Sequence, residues 1–181
     1  MKTVERYPLS LIALHWLLAA FIVAAFALGT IMTDMKFSPT KLQYYSYHKW
    51  LGVTVLGLAA IRLLTRLLSQ VPAPVAGMSA WQAKAAEWTH VFLYVLMFAV
   101  PLSGYFYTSA AGYPVVYLGL FELPSLIGPS PEIKDVLKEV HELLTNVMLA
   151  TVLLHVAGAL KHQFIDKDGL LARMIPGKSA R

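Results

Sequence analysis

The chain has 181 residues, of which 57% are hydrophobic and only 14% are charged. Soluble domains average about 45–50% apolar and about 25% charged residues, so this composition excludes an ordinary water-soluble domain and indicates a partly lipid surrounding. The absence of cysteine excludes disulfides, thiolate metal sites and iron–sulfur clusters. The net charge of +5 suits an anionic membrane surface, and no basic block indicates nucleic acid binding.

Four apolar runs predict four membrane-spanning helices, because a span needs about 20 mostly apolar residues. The first run follows Lys2 and Arg6, which leaves a cleaved signal peptide as an alternative, but it is longer than a signal core of about 7–15 residues. The runs do not alternate as barrel strands do. We expect one all-α membrane domain over residues 1–181. Its spans are predicted at about 9–32, 48–68, 88–107 and 140–162.

The positive-inside rule predicts the orientation, because cytoplasmic loops carry an excess of lysine and arginine. The side that holds the two termini and the second link has more lysines and arginines, which predicts both termini in the cytoplasm. That side carries Lys2, Arg6, Arg62, Arg66, Lys84, Lys161, Lys167, Arg173, Lys178 and Arg181. The other side carries Lys36, Lys41, Lys49, Lys134 and Lys138.

Two histidines of the fourth run share one helix face. His141 and His155 are fourteen residues apart, which on an α-helix is an angular offset of about 40° and an axial separation of about 21 Å. The fourth helix therefore offers one histidine near each side of the membrane, both directed to the same interior.

Each of these histidines has a partner at the same expected depth. His15 lies about 9 Å and His155 about 10 Å from the cytoplasmic ends of their runs, at about 1.5 Å per residue. His48 and His141 both open their runs at the outer side. The antiparallel order of the helices therefore predicts the pairs His15–His155 and His48–His141.

Two facing histidines inside lipid suit a haem better than zinc, because zinc usually takes three or four protein ligands. A haem needs two axial ligands, and filling both from the protein favours electron transfer over oxygen binding. Without a C-x-x-C-H motif any haem is non-covalent, which predicts two b-type haems in a four-helix bundle. A transporter whose histidines only bond neighbouring helices is the alternative.

Cations of the second run are candidate partners for haem propionates. Arg62 and Arg66 lie one turn apart on the cytoplasmic half, and Lys49 follows His48 at the outer end. The alternative for the arginines is snorkelling to the interface. Glycines that can make room for porphyrin edges, or serve helix packing instead, are Gly29, Gly52, Gly57 and Gly104.

The motifs together resemble bacterial cytochrome b561 over almost the whole chain. The first run has HW, the second opens with HKWLG and ends with R-x-x-x-R, and the third has H-x-x-L-Y followed by PLSG. The fourth has HE, then H-x-x-x-A-L-x-H, before the tail D-x-L-L-x-R-M-I-P. The resemblance also extends to the membrane cytochrome b subunits of hydrogenases and formate dehydrogenases.

The resemblance implies the same haem ligands as the depth argument, with His15 and His155 at the cytoplasmic side and His48 and His141 at the periplasmic side. It implies that His162 contacts ubiquinone, and that His90 touches a haem edge or quinone. The superoxide oxidase of this family also has a quinone-binding lysine in the second link. The corresponding link of this chain reads VPAPVAGMSAWQ and contains no lysine. Lys84 is the nearest lysine.

The resemblance favours an oxidoreductase of the bacterial inner membrane that passes electrons from periplasmic superoxide to ubiquinone. Outer lysines would steer the superoxide anion, although nearby carboxylates weaken that field. The alternative is a non-enzymatic subunit that passes electrons between quinol and a periplasmic redox protein, with the long third link as its docking surface.

Overall fold

The computed structural model describes residues 6–75 and 77–177. Lys2, Lys178 and Arg181, which contribute to the predicted charge asymmetry, lie outside this part of the chain. Four helices are long and apolar enough to cross a membrane, as the sequence predicts. They are α1 (Leu9–Asp34), α2 (Pro39–Leu68), α3 (Ala80–Ala110) and α4 (Pro131–Lys161).

The last three helices begin well before the apolar runs, because capping residues set their starts. The Ser38 side chain accepts a hydrogen bond from the Lys41 backbone N–H, with Pro39 as the first helical residue. Ser79 and Gln82 form a capping box at the start of α3. Pro131 opens α4, so this helix begins nine residues before the predicted start of the fourth span at about residue 140.

The bundle core is a single apolar layer at mid-depth. Close packing runs between chain neighbours, α1 on α2, α2 on α3 and α3 on α4. The buried cluster takes side chains from all four helices, while most large side chains on the outer faces are exposed, as a lipid-facing surface requires. Its members are Leu18, Val55, Ala59, Leu96, Met97 and Met148.

A short hairpin in the long third link is absent from the sequence-based prediction. Strands β1 (Val115–Tyr117) and β2 (Phe121–Leu123) pair antiparallel, and Gly119 has a positive φ of 71° in the connecting turn. Lys49 Nζ donates to the Pro114 carbonyl at 2.9 Å. Trp50 Nε1 donates to the Val116 carbonyl at 2.6 Å. These bonds hold the hairpin over the end of α2 beside His48. We call this end of the bundle outer and the opposite end inner, after the orientation that the sequence predicts.

The chain after α4 folds back against the opposite end of the bundle. A π-helical turn, His162–Asp166, continues α4, and a 3₁₀ turn, Leu171–Met174, follows it. Trp16 Nε1 donates to the Met174 carbonyl at 2.8 Å, and Arg173 donates to the Ala73 carbonyl at 2.6 Å. The C-terminal segment is therefore tied to α1 and to the second link, so both described ends of the chain lie on one side.

Candidate functional site

The histidines of the outer half form a facing pair. The rings of His48 on α2 and His141 on α4 have centroids 6.2 Å apart and an interplanar angle of 83°. The apolar core layer separates them from the histidines of the inner half. The structure thus brings together the two residues that the depth argument paired at the outer side.

Helix α1 orients the His48 ring. His48 Nδ1 lies 2.9 Å from the Ala25 carbonyl oxygen, so Nδ1 carries the proton and donates it, because the carbonyl can only accept. The other ring nitrogen, Nε2, is then left with a free lone pair. Gly29, one turn further along α1, leaves room for the ring, since a Cβ there would stand 3.2 Å from His48 Cε1.

Helix α3 orients the His141 ring in the same way. Its Nδ1 lies 3.1 Å from the Val100 carbonyl oxygen and 3.0 Å from the Ser103 hydroxyl. Gly104 lies against the ring, since a Cβ there would stand 2.9 Å from His141 Cε1. Hydrogen bonds of this kind fix the tautomer and direction of a metal-binding imidazole, and here they leave the lone pair of Nε2 available to a metal.

A cavity of about 910 Å³ surrounds the outer pair. All four helices and the hairpin contribute to its walls, which are mostly apolar apart from a few side chains that include Lys41 and Lys49. Cofactor sites are usually apolar cavities of about 300–1,000 Å³ with a few placed polar groups. The volume, the apolar lining and the two free Nε2 atoms fit a porphyrin.

The inner half contains three neighbouring histidines instead of two. The His15 and His155 rings have centroids 6.1 Å apart. The His90 ring on α3 lies closer to His155, with centroids 5.3 Å apart. Trp16 packs edge-on against His15 at 5.2 Å, and its indole N–H is the group that binds the C-terminal segment.

Ring spacing distinguishes the possible inner pairs. Histidine–metal bonds are about 2.0–2.1 Å long, and a ring centroid lies about 1.1 Å beyond its nitrogen, so two imidazoles on opposite sides of one metal have centroids about 6.3 Å apart. The outer pair at 6.2 Å and the His15–His155 pair at 6.1 Å match this spacing. His90 is nearer to His155 than an opposite ligand would be, which fits an edge contact.

Among the predicted cations, Arg62 has the surroundings that best suit a propionate partner at the inner site. Its guanidinium donates a hydrogen bond to the Tyr94 hydroxyl and lies 5.3 Å from the centre of that ring. Its Nε is buried and has no hydrogen-bond partner among the described residues. An unpaired buried donor of this kind suits a carboxylate ligand.

The other predicted cations have different surroundings. Lys49 lines the outer cavity, and its Nζ donates one hydrogen bond to the Pro114 carbonyl. Arg66 lies one turn beyond Arg62 in the last turn of α2. Lys84 pairs with Glu87 at 3.3 Å, with both side chains largely exposed, so its surroundings do not distinguish it as a substitute for the family's link lysine.

His162 lies apart from the paired histidines, in the π-helical turn after α4. Its Nδ1 is 2.6 Å from an Asp168 carboxylate oxygen and 3.2 Å from an Asp166 carboxylate oxygen. The three side chains form a compact cluster. The sequence indicates His162 through the family motif, but it does not indicate the two aspartates as its partners.

The sequence also does not predict the groups that orient the histidine rings. Two of the acceptors, at Ala25 and Val100, are backbone carbonyls, which every residue has. Ser103 and Gly104 belong to the PLSG motif, which contributes to the family resemblance. The motif alone does not indicate that these two residues contact His141. That motif was the one available signal.

Comparisons with known proteins identify the family of the chain. The family described as prokaryotic cytochrome b561 matches residues 6–177. The chain is 34% identical to cytochrome b561 homolog 2 of Escherichia coli K12, covering 99% of this chain and 95% of that protein. It is 32% identical to cytochrome b561 homolog 1 of the same organism, covering 95% and 98%. It is 28% identical to the probable superoxide oxidase CybB of Yersinia pestis, covering 96% and 98%.

The match covers all four helices and every histidine described above, and membership implies b-type haem and electron transfer. The chain belongs to the prokaryotic cytochrome b561 family.

Proposed function

We propose that the chain binds two b haems and transfers electrons across the bacterial inner membrane, from superoxide at the periplasmic side to ubiquinone at the cytoplasmic side. The observation that carries the proposal is the pair of facing histidines at each of two depths, with ring centroids 6.2 Å and 6.1 Å apart. One apolar layer separates the two pairs.

In this reaction the protein would hold the two haems and orient the histidines that bind them. When bound, the haems supply reversible one-electron redox chemistry. His48 and His141 would hold the outer haem, and His15 and His155 the inner one. Because two histidines would hold each haem, superoxide and quinone would exchange electrons with it without binding its iron. The net reaction oxidises two superoxide anions to oxygen and reduces one quinone to quinol with two protons.

Charges at the outer side support an anionic substrate. Lys41 and Lys49 line the cavity, and neither forms an ion pair within the described part of the chain. Lys134 and Lys138 instead pair with carboxylates, at 3.7 Å to Asp135 and 3.5 Å to Glu142. The field that would steer superoxide is therefore concentrated at the cavity. The similarity to a probable superoxide oxidase supports the same substrate.

At the inner side, His162 and His90 are the proposed quinone contacts. His162 follows α4 at the end of the bundle that carries both described chain ends. His90 extends from α3 towards the proposed inner haem ligands, with its ring centroid 5.3 Å from that of His155. A quinone near this end would be close to the inner haem and would draw protons from the cytoplasm.

A second function has its own support, namely transfer between quinol and a periplasmic redox protein. The hairpin tip over the outer cavity exposes large apolar side chains, as docking surfaces do. Leu120 is 77% exposed, and Leu118 and Phe121 are each at least half exposed. In this alternative a protein partner replaces superoxide, while the histidine pairs keep their roles.

A superoxide pulse separates the two functions. The purified protein is mixed with superoxide in a stopped-flow spectrometer, with and without a soluble ubiquinone. A superoxide oxidase shows rapid haem reduction, then reoxidation that depends on quinone, with one quinol formed per two superoxide consumed. Absence of haem reduction by superoxide would reject that function and favour a protein donor.

A further inference from the structure

The turn after α4 holds His162 in a network of carboxylates. Asp168 accepts a hydrogen bond from His162 Nδ1 at 2.6 Å through one oxygen, and through the other from the Leu170 backbone N–H at 3.0 Å. Both oxygens are therefore in use, so the carboxylate is fixed relative to the backbone. The His162 and Asp168 side chains are only 13% and 17% exposed.

The backbone is shaped to make this contact. The helix widens to a π-turn over His162–Asp166, and Lys167 then takes a left-handed conformation with φ of 51°. π-Turns within or at the end of helices often mark functional sites, and a left-handed non-glycine residue needs support from its surroundings. Together they return Asp168 to the side of His162, six residues back in sequence.

The second carboxylate is already neutralised. Asp166 lies 3.2 Å from His162 Nδ1, but its nearer partner is Lys161 Nζ at 2.5 Å. Asp168 forms no ion pair with a lysine or arginine within the described residues. Asp168 is therefore the carboxylate whose charge acts mainly on His162.

We propose that Asp168 is a positioning residue that holds His162 as the proton donor to ubiquinone, with Nδ1 bound to Asp168 and Nε2 directed to a quinone carbonyl oxygen. This inference rests on the proposed quinone function and assigns its proton delivery. The carboxylate stabilises the imidazolium and fixes which nitrogen reacts, as an aspartate does for a catalytic histidine elsewhere.

The proton step balances with the electrons of the proposed reaction. As the quinone is reduced, an O–H bond forms at its carbonyl oxygen and the Nε2–H bond of His162 breaks. His162 is left neutral, with its remaining proton on Nδ1 facing Asp168, and takes another proton from cytoplasmic water. Two electrons, one from each of two superoxide anions, and two protons convert quinone to quinol, while Asp168 remains a carboxylate.

The test compares Asp168→Asn, Asp168→Glu, Asp166→Asn and the outer-side control Asp135→Asn. Prereduced protein is mixed with a soluble ubiquinone in H₂O and D₂O, and haem reoxidation is followed. Asp168→Asn should slow reoxidation about 10- to 100-fold, less than the roughly 10²–10⁴-fold that complete acid–base assistance contributes, because His162 itself is retained, and it should give a larger solvent isotope effect. Asp168→Glu should recover part of the rate, Asp166→Asn should have a smaller effect, and Asp135→Asn should match wild type.

A second readout is independent of turnover. In the reduced, diamagnetic protein with ¹⁵N-labelled histidine, the His162 signals should show Nδ1 protonated in wild type and a shift of the proton distribution towards Nε2 in Asp168→Asn. Haem content should be unchanged, which shows that the variant is folded.

The outcomes are distinct. If quinone reoxidises the wild-type haems, and Asp168→Asn has the same rate, isotope effect and ¹⁵N pattern as wild type, the role of Asp168 is overturned. The proposed function is then unaffected. A wild-type protein whose haems quinone does not reoxidise overturns both. A loss of rate that Asp168→Glu does not recover at all, with unchanged ¹⁵N signals, assigns Asp168 a structural role only.

Discussion

Gly104 and His141 are so close that the glycine has no room for a side chain. A Cβ on Gly104 would stand 2.9 Å from His141 Cε1 and 3.1 Å from its Nδ1. The same ring is held by the Val100 carbonyl and the Ser103 hydroxyl, so it cannot move without losing those bonds. The short stretch of α3 from Val100 to Gly104 therefore fixes a proposed haem ligand of α4.

Gly104→Ala should weaken the outer haem selectively. The added methyl group displaces the His141 ring and breaks the hydrogen bonds that orient it, and such losses typically cost about 10- to 100-fold in metal affinity. Haem content and the reduced-minus-oxidised spectrum measure the effect. Gly29→Ala, with a contact of 3.2 Å to His48, should have a smaller effect of the same kind.

Gly57→Ala is the matched control for both variants, because Gly57, although expected from the sequence to make room for a porphyrin edge or serve packing, does not line the outer cavity, and an added Cβ there meets nothing within 4 Å. Full haem content in Gly104→Ala, equal to that of Gly57→Ala, would show that the close contact does not constrain the ligand.

Arg62→Leu should lower the reduction potential of the inner haem. Reduction adds negative charge, which a nearby guanidinium stabilises, and a tenfold change in a one-electron equilibrium is 59 mV. We expect a decrease of about 30–60 mV, measured by potentiometric titration with the outer haem as internal reference. Arg66→Leu, one turn further from the core layer, should give a smaller decrease. An equal shift of both haems would contradict the assignment of Arg62 to the inner site.

Lys41→Gln should slow the reaction with superoxide about two- to tenfold at low ionic strength, because it removes part of the field at the cavity. The difference should diminish at high salt, where exposed charges are screened. Stopped-flow haem reduction measures the rate. Lys134→Gln serves as the control, since its charge is already paired with Asp135. Equal rates for the two variants at low salt would contradict steering through the cavity.

The proposed orientation is testable because the chain has no cysteine, so a single introduced cysteine reports one position. In intact spheroplasts, a membrane-impermeant maleimide should label Ser125→Cys in the outer link and leave Gln70→Cys in the second link unlabelled. Gln70→Cys should react after permeabilisation. The reverse pattern would place the termini in the periplasm.

The sequence predicts the histidine pairs because helix geometry and membrane crossing leave little freedom. A fixed rise per residue and antiparallel spans determine which histidines share a depth, and the structure places the two members of each predicted pair next to each other. The same arithmetic does not detect the third inner contact, because His90 approaches His155 through the packing of α3 on α4.

The sequence predicts neither the hairpin nor the His162–Asp168 contact. Strands of three residues have too short a pattern to distinguish from a loop, and the hairpin depends on bonds from Lys49 and Trp50 of a distant helix. Asp168 reaches His162 only because the chain leaves the α-helical path at the π-turn and at Lys167. A straight helical projection places these two side chains on different faces.

The most direct measurement of the central claim is haem stoichiometry with reduced-minus-oxidised spectra for wild type, His141→Ala and His155→Ala. Two haems per chain in wild type and one in each variant are expected, with the two variants losing spectrally different haems. His48→Ala should match His141→Ala, and His15→Ala should match His155→Ala, because each pair shares one iron. One haem per wild-type chain, or the loss of the same haem from both variants, would contradict the account.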